Sequence, residues 1–267
     1  MDSFLIPVIL GIVEGITEFL PISSTGHLII AGHLLGFTGE KAATFDVIIQ
    51  LGAILAVVVL YKERFIGLLF PPKDKSMTFS GMHGIWLLLL TTIPASILGL
   101  LIHDKIKEHL FTPTTVAWAL GVGAIIILIV EGLKKTEKFS RLDDITPMLA
   151  FGIGCFQCLA LWPGFSRSAS TIMGGMLLGA NRKLAAEYSF IAAVPIMVAA
   201  TGYDFLKNYT LFESGDLIFL AIGFVTSFIS AWFAVKGFIY LLSKLTLRPF
   251  AYYRLVLAPL VIFFWAS

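Results

Sequence analysis

Six stretches of mostly apolar residues, roughly 43–61, 84–102, 114–133, 185–206, 217–240 and 249–266, dominate this chain. Each matches the length of about 20 residues that an α-helix needs to cross a bilayer. A polypeptide carrying six such runs in 267 residues has lipid as its practicable solvent. Composition agrees: 58% of residues are hydrophobic and 13% are charged, against about a quarter charged in soluble domains. Too few polar groups remain to coat a water-facing surface. The net charge of +2 is small and dispersed, which speaks against a nucleic-acid partner. Pro94, Pro195 and Pro259 fall inside three of the runs and read as kinks that neighbouring helices tolerate, not as ends. Tyr61, Trp86, Tyr209, Tyr252, Tyr253 and Trp265 stand near run ends, where amphipathic rings suit the membrane interface.

Two further apolar regions are broken. Residues 4–36 are interrupted at Pro21 and the Ser-Ser-Thr-Gly after it, and residues 147–180 at Pro163-Gly164. Each half is too short to cross alone and too apolar for a watery loop. A re-entrant hairpin, two short helices that enter and leave on one side, satisfies both facts. Irregular backbone at membrane depth survives only where protein buries it or water fills a cavity, so each break marks a candidate site. The regions also resemble each other: GIVEGITEFLPISSTGHLIIAGHLLG from Gly11 and GIGCFQCLALWPGFSRSASTIMGGMLLG from Gly152. Both run from an apolar helix through a Pro and a hydroxyl-rich break into a Gly-rich helix ending Leu-Leu-Gly, which points to internal duplication.

Basic residues then orient the chain. One side collects Lys62, Arg64, Lys73, Lys75, Lys134, Lys135, Lys138, Arg141, Arg182, Lys183, Lys244 and Arg248, and the other keeps Lys41, Lys105, Lys107 and Lys207. The richer side is cytoplasmic by the positive-inside rule. The first hairpin then enters from outside and the second from the cytoplasm. Three spans separate them, so the repeats are inverted and their breaks can meet near mid-membrane. The expected architecture is an all-α polytopic membrane protein with about six transmembrane helices and two re-entrant hairpins. It forms one membrane domain over 1–267, with repeat one about 1–110, repeat two about 147–245 and a final transmembrane helix about 249–266.

The breaks hold the chemistry. Glu14 and Glu18 are four apart and share a helix face. An ionised carboxylate at membrane depth costs about 2.5–3.5 kcal/mol even on lenient scales. The pair must face a polar cavity, bind a cation, hold a proton or close an ion pair. After Pro21 come Ser23, Ser24, Thr25, Gly26 and His27. Hydroxyls beside an imidazole suit nucleophilic or acid/base work, a helix N-terminus suits an anion, and one Ser serves as an N-cap. The second break carries Ser166, Arg167, Ser168, Ser170 and Thr171. Arg167 reads as the only basic residue deep in an apolar region; its planar fork fits phosphate or carboxylate, and without substrate it should pair with Glu14 or Glu18. Asp46 and Gln50 could border the same cavity. Cys155 and Cys158 lack the second pair or nearby His of a zinc site and read as small core residues. Asp2 stands where a signal peptide would have a basic region, and no cleavage site follows. No P-loop, GxSxG or HExxH motif is present. Two acids, hydroxyls, an imidazole and a guanidinium together match hydrolysis of a phosphate anhydride.

Two motifs carry a resemblance: Glu14-Gly-Ile-Thr-Glu18-Phe-Leu-Pro21-Ile-Ser-Ser-Thr-Gly-His27, and Pro163-Gly-Phe-Ser-Arg-Ser168 with Thr171 after it. They resemble those of the bacterial undecaprenyl-diphosphate phosphatases, also called bacitracin-resistance proteins, over nearly the whole chain. The resemblance implies a plasma (inner) membrane enzyme that removes one phosphate from a polyprenyl diphosphate lipid. That reaction recycles the carrier for peptidoglycan synthesis and confers bacitracin resistance. It also implies a divalent cation, magnesium or calcium, on Glu14 and Glu18. Ser24 matches the nucleophile, His27 the general acid/base and Arg167 the phosphate clamp. Ser23, Thr25, Gly26, Ser166, Ser168 and Thr171 are expected around the phosphate. Glu18 activating water directly is the alternative to a phosphoserine. Charge bias opens the site to the outer (periplasmic) face, and a homodimer is left open. A secondary transporter or flippase built on inverted repeats is the competing class; the surplus of nucleophile-type groups beside a His favours the enzyme.

Overall fold

The computed structural model describes residues 4–72, 77–110, 112–134, 136–208, 211, 214–242 and 244–266. Asp2, Lys73, Lys75, Lys135 and Tyr209 lie outside the described residues, as do the side chains of Lys107 and Trp265. Among the described residues the regular elements are helices: α1 (Leu5–Thr17), α2 (Ser24–Leu34), α3 (Glu40–Leu60), α4 (Lys62–Leu69), α5 (Gly81–Lys105), α6 (Pro113–Gly132), α7 (Pro147–Gln157), α8 (Arg167–Leu177), α9 (Arg182–Asn208), α10 (Leu217–Leu242) and α11 (Arg248–Ala266). Five are long and apolar enough to cross a membrane, over Glu40–Leu60, Gly81–Ile102, Pro113–Gly132, Arg182–Lys207 and Leu217–Leu242. The chain is a multi-pass helical membrane protein. The sixth run is also helical, as α11. Helices α5, α9 and α11 continue through Pro94, Pro195 and Pro259.

Both broken regions fold as helix, break, helix. Proline has no N–H and clashes with the preceding turn, so a helix cannot run on through Pro21 or Pro163 with its ladder intact. The two breaks then use the same local geometry. Ser23 sits at φ 69° and Ser166 at φ 78°, the two non-glycine residues with positive φ among those described. The Ser23 hydroxyl accepts from the Gly26 N–H, and the Ser166 hydroxyl from the Ala169 N–H, each capping a helix of 11 residues. Each helix closes on a left-handed glycine, Gly36 at φ 66° and Gly179 at φ 100°. Paired bonds reach back over that glycine: Phe37 N to Gly32 O with Gly36 N to His33 O, and Ala180 N to Gly175 O with Gly179 N to Met176 O. Both ends are Schellman closures.

Packing brings the breaks together. Helix α1 lies against α10 so closely that a Cβ on Gly15 would stand 2.4 Å from the Ser227 carbonyl oxygen. Glycine at that position allows the backbones to touch. Helix α10 packs in turn on α3, α3 on α9, and α9 on α8. On the other side α11 joins α6 and α2. Phe19, Tyr188, Phe190 and Phe238 fill the shared core. Two expectations change. Cys155 is exposed and Cys158, just past the end of α7, only half-buried, because the face of α7 that carries Met148, Phe151 and Cys155 points outward rather than into the core. Residues 62–69, expected as cytoplasmic loop, form the short helix α4, whose Ile66 and Leu69 are exposed.

Candidate active site

Ser24 and Arg167 are the first residues of α2 and α8, and Glu18 caps the end of α1. The Glu18 carboxylate joins them. The Ser24 hydroxyl donates to Glu18 Oε2 at 2.6 Å, and Arg167 Nη2 donates to Glu18 Oε1 at 3.0 Å. One carboxylate therefore bridges the two breaks, in the pairing expected of Arg167 without substrate. The Ser168 hydroxyl adds a second tie, donating to the Leu20 carbonyl at 2.8 Å. Arg167 Nη1 donates to the carbonyl and hydroxyl oxygens of Ser189 at 3.1 and 3.3 Å, and the guanidinium lies 5.6 Å from the Phe19 ring centroid. Its buried Nε–H has no hydrogen-bond partner. Arg167 is thus held by Glu18 and Ser189 at the cavity wall.

These groups face a cavity of about 190 Å³ lined by Glu18, Ser23, Ser24, Thr25, Ser166 and Arg167, with Pro163, Gly164, Gln50, Ala160 and Met197 completing the wall. Glu14, Gly26, His27, Ser168 and Thr171 are not lining residues. Thr171 instead shares a 2.6 Å hydrogen bond with Ser189 and donates to the Arg167 carbonyl, so it supports the guanidinium's partner. Glu14 is fully buried with both carboxylate oxygens lacking a hydrogen-bond donor. Glu18, Asp46 and Arg167 are its electrostatic neighbours. The expected hydroxyl–imidazole pair is not made: the Ser24 hydroxyl donates its hydrogen bond to Glu18, while His27 bonds the Ser23 carbonyl at 2.7 Å and the Tyr253 hydroxyl at 2.7 Å.

Helix N-termini from both breaks, a guanidinium in the cavity wall, and a hydroxyl hydrogen-bonded to a carboxylate can together hold an oxyanion and activate a nucleophile. The sequence agrees with this geometry at family level. Residues 7–260 match the model of the family described as bacitracin resistance protein BacA. The chain belongs to that family. Among curated relatives of the BacA chain, the undecaprenyl-diphosphatase of Maridesulfovibrio salexigens is 74% identical over 266 residues, covering 100% of both chains. The protein of the same name from Nitratidesulfovibrio vulgaris is 67% identical over 100% of both, and that of Lawsonia intracellularis 59% identical over 98% of both.

This BacA-family chain also holds residues that the sequence reading missed. Arg167 is not the only deep basic residue: Arg254, in α11, is fully buried. Its guanidinium donates to the carbonyls of Pro21, Gly164, Phe165, Ala119 and Leu120 at 2.8–3.3 Å. Three of those carbonyls lie in the breaks, where no helical N–H serves them. The rule that exposes Glu18 and Arg167, a charge inside an apolar run, applies equally to Arg254. Ser189, one small hydroxyl in the long apolar α9, carried no such signal.

Proposed function

We propose that this chain is an undecaprenyl-diphosphate phosphatase, which hydrolyses the lipid diphosphate to undecaprenyl phosphate and inorganic phosphate. In the bacterial plasma membrane this recycles the carrier for peptidoglycan synthesis and confers resistance to bacitracin. The observation that carries the reading is the Glu18 carboxylate spanning Ser24 and Arg167, beside a cavity wide enough for a phosphate. A transporter has no need of a hydroxyl hydrogen-bonded to a carboxylate at its binding site.

Arg167 and the N–H groups at the start of α2 and α8 hold the terminal phosphate. Ser24 Oγ attacks phosphorus as its proton passes to Glu18, the bond from phosphorus to the bridging oxygen breaks, and undecaprenyl phosphate leaves. Water then cleaves the phosphoserine and frees inorganic phosphate. The alternative route has Glu18 deprotonate a water that attacks directly. Glu14 and Glu18 are hard oxygen donors, and the unpartnered Glu14 carboxylate fits a cation. No group of three or more His, Cys, Asp or Glu gathers among the described residues; Glu14 and Glu18 are the residues that would hold magnesium or calcium. When bound, the ion neutralises diphosphate charge. Purified protein in detergent should release phosphate from a polyprenyl diphosphate, and chelation should stop it until magnesium or calcium is restored. Glu18→Gln should lose activity by about a hundredfold. Comparable loss in Ser24→Ala supports the phosphoserine, whereas a Ser24→Ala variant near wild-type level establishes attack by water. Turnover unchanged by Glu18→Gln would overturn the assignment.

The shared cap, helix length and glycine closure of the two breaks support an inverted repeat of two re-entrant hairpins, with α11 as a sixth span. With the basic loops inside, the cavity opens to the outer face. A single cysteine placed at Lys105, on an exposed residue at the end of α5, should react with an impermeant thiol reagent added outside intact cells. Labelling from the cytoplasmic side alone would reverse the orientation.

A further inference from the structure

His27 has both ring nitrogens committed inside the protein. The Ser23 carbonyl can only accept, so Nδ1, 2.7 Å away, carries the hydrogen. In the neutral ring Nε2 is then the lone-pair nitrogen, and it accepts the Tyr253 hydroxyl at 2.7 Å. The two rings lie nearly parallel, 7° apart with centroids separated by 5.5 Å. His27 does not line the cavity.

The second break explains what the Nδ1 bond does. Ser170 stands four residues after Ser166, as His27 stands four after Ser23. The Ser170 hydroxyl donates to the Ser166 carbonyl at 2.9 Å. The same carbonyl of the same left-handed serine thus receives a side-chain donor from the same position in both breaks. In the second break the donor is a fully buried hydroxyl that does not line the cavity. A positive φ at serine costs about 1–3 kcal/mol and persists only where the surroundings hold it. Both side chains are placed to do that. Ser23 precedes Ser24, so the torsions that His27 holds also set where Ser24 Oγ meets Glu18.

We infer that His27 is a positioning residue, braced by Tyr253, which acts on the reaction through the Ser23 carbonyl rather than on the reacting atoms. This rests on the phosphatase reading of the same site. The Asn side-chain amide can occupy the place of Nδ1–H but cannot relay a proton. His27→Asn should therefore recover most of the turnover that His27→Ala loses, whereas His27→Gln, whose amide falls at the place of Nε2, should not. Tyr253→Phe keeps the stacked ring and removes the hydroxyl. It should lower kcat by about tenfold or more with KM little changed, the scale of a small displacement in an active site. In a His27→Asn background Tyr253→Phe should have no further effect, because no Nε2 remains to brace. Nitrogen NMR of histidine-labelled protein gives a readout apart from turnover: the His27 signal should report the Nδ1–H tautomer and shift at Nε2 in Tyr253→Phe. An Nε2–H tautomer, or a His27→Asn variant as inactive as His27→Ala, overturns the inference. Wild-type protein that releases no phosphate while showing the Nδ1–H tautomer would instead overturn the phosphatase reading.

Discussion

Arg167→Ala is expected to lose about a thousandfold or more in turnover, the range seen when a charged phosphoryl clamp is removed. Two losses combine. The donors that meet the developing phosphate charge vanish, and Glu18, buried, is left without its cation. Breaking a buried ion pair by removing one partner is strongly destabilising, so the carboxylate that receives the Ser24 hydrogen bond loses its anchor. Arg167→Lys restores charge but not the fork that reaches Ser189 with one nitrogen and Glu18 with the other. It should recover only part of the loss. Phosphate release from a polyprenyl diphosphate, with protein level and melting point in detergent measured alongside, checks both variants. An Arg167→Ala enzyme within tenfold of wild type would remove Arg167 from the transition state.

Arg254→Met is expected to fail by a different route, through the fold. The methionine fills similar space but offers no donor to the carbonyls of Pro21, Gly164 and Phe165. Each buried acceptor left unmet costs about 1–3 kcal/mol, and neither break has a helical N–H to substitute. Both breaks should loosen together, because a single guanidinium serves both. The expected result is a large fall in melting temperature in detergent, with loss of activity following it. Gly123→Ala offers an independent check. Its Cβ would stand 2.2 Å from Arg254 Nη2, so the guanidinium must move without being removed. If both variants melt as the wild type does, Arg254 is not what holds the breaks.

Much of this architecture was legible in the residue order. Apolar run length located the long helices, since crossing lipid requires a fixed length of satisfied backbone. Pro21 and Pro163 located the breaks, and charge inside an apolar region picked out Glu18 and Arg167. The likeness of the two broken regions was also visible, down to the Leu-Leu-Gly that became matching helix ends. Adjacency was less reliable. His27 stands three residues from Ser24, yet the two do not bond, because helix α2 turns the imidazole toward α11. Thr171, expected near the phosphate, hydrogen-bonds Ser189.

What the sequence determined alone was therefore whatever a local rule can determine: where helices run, where they stop, and which charges are too costly to be accidental. Tertiary structure decided which acceptor each donor met. Glu18 rather than His27 accepts the hydrogen bond of the Ser24 hydroxyl, and α11 supplies the arginine that both breaks share. The reason is that hydrogen-bond partners in a buried, largely apolar interior are chosen by three-dimensional proximity among few available groups. Helices far apart in the chain, such as α1, α8 and α11, supply them.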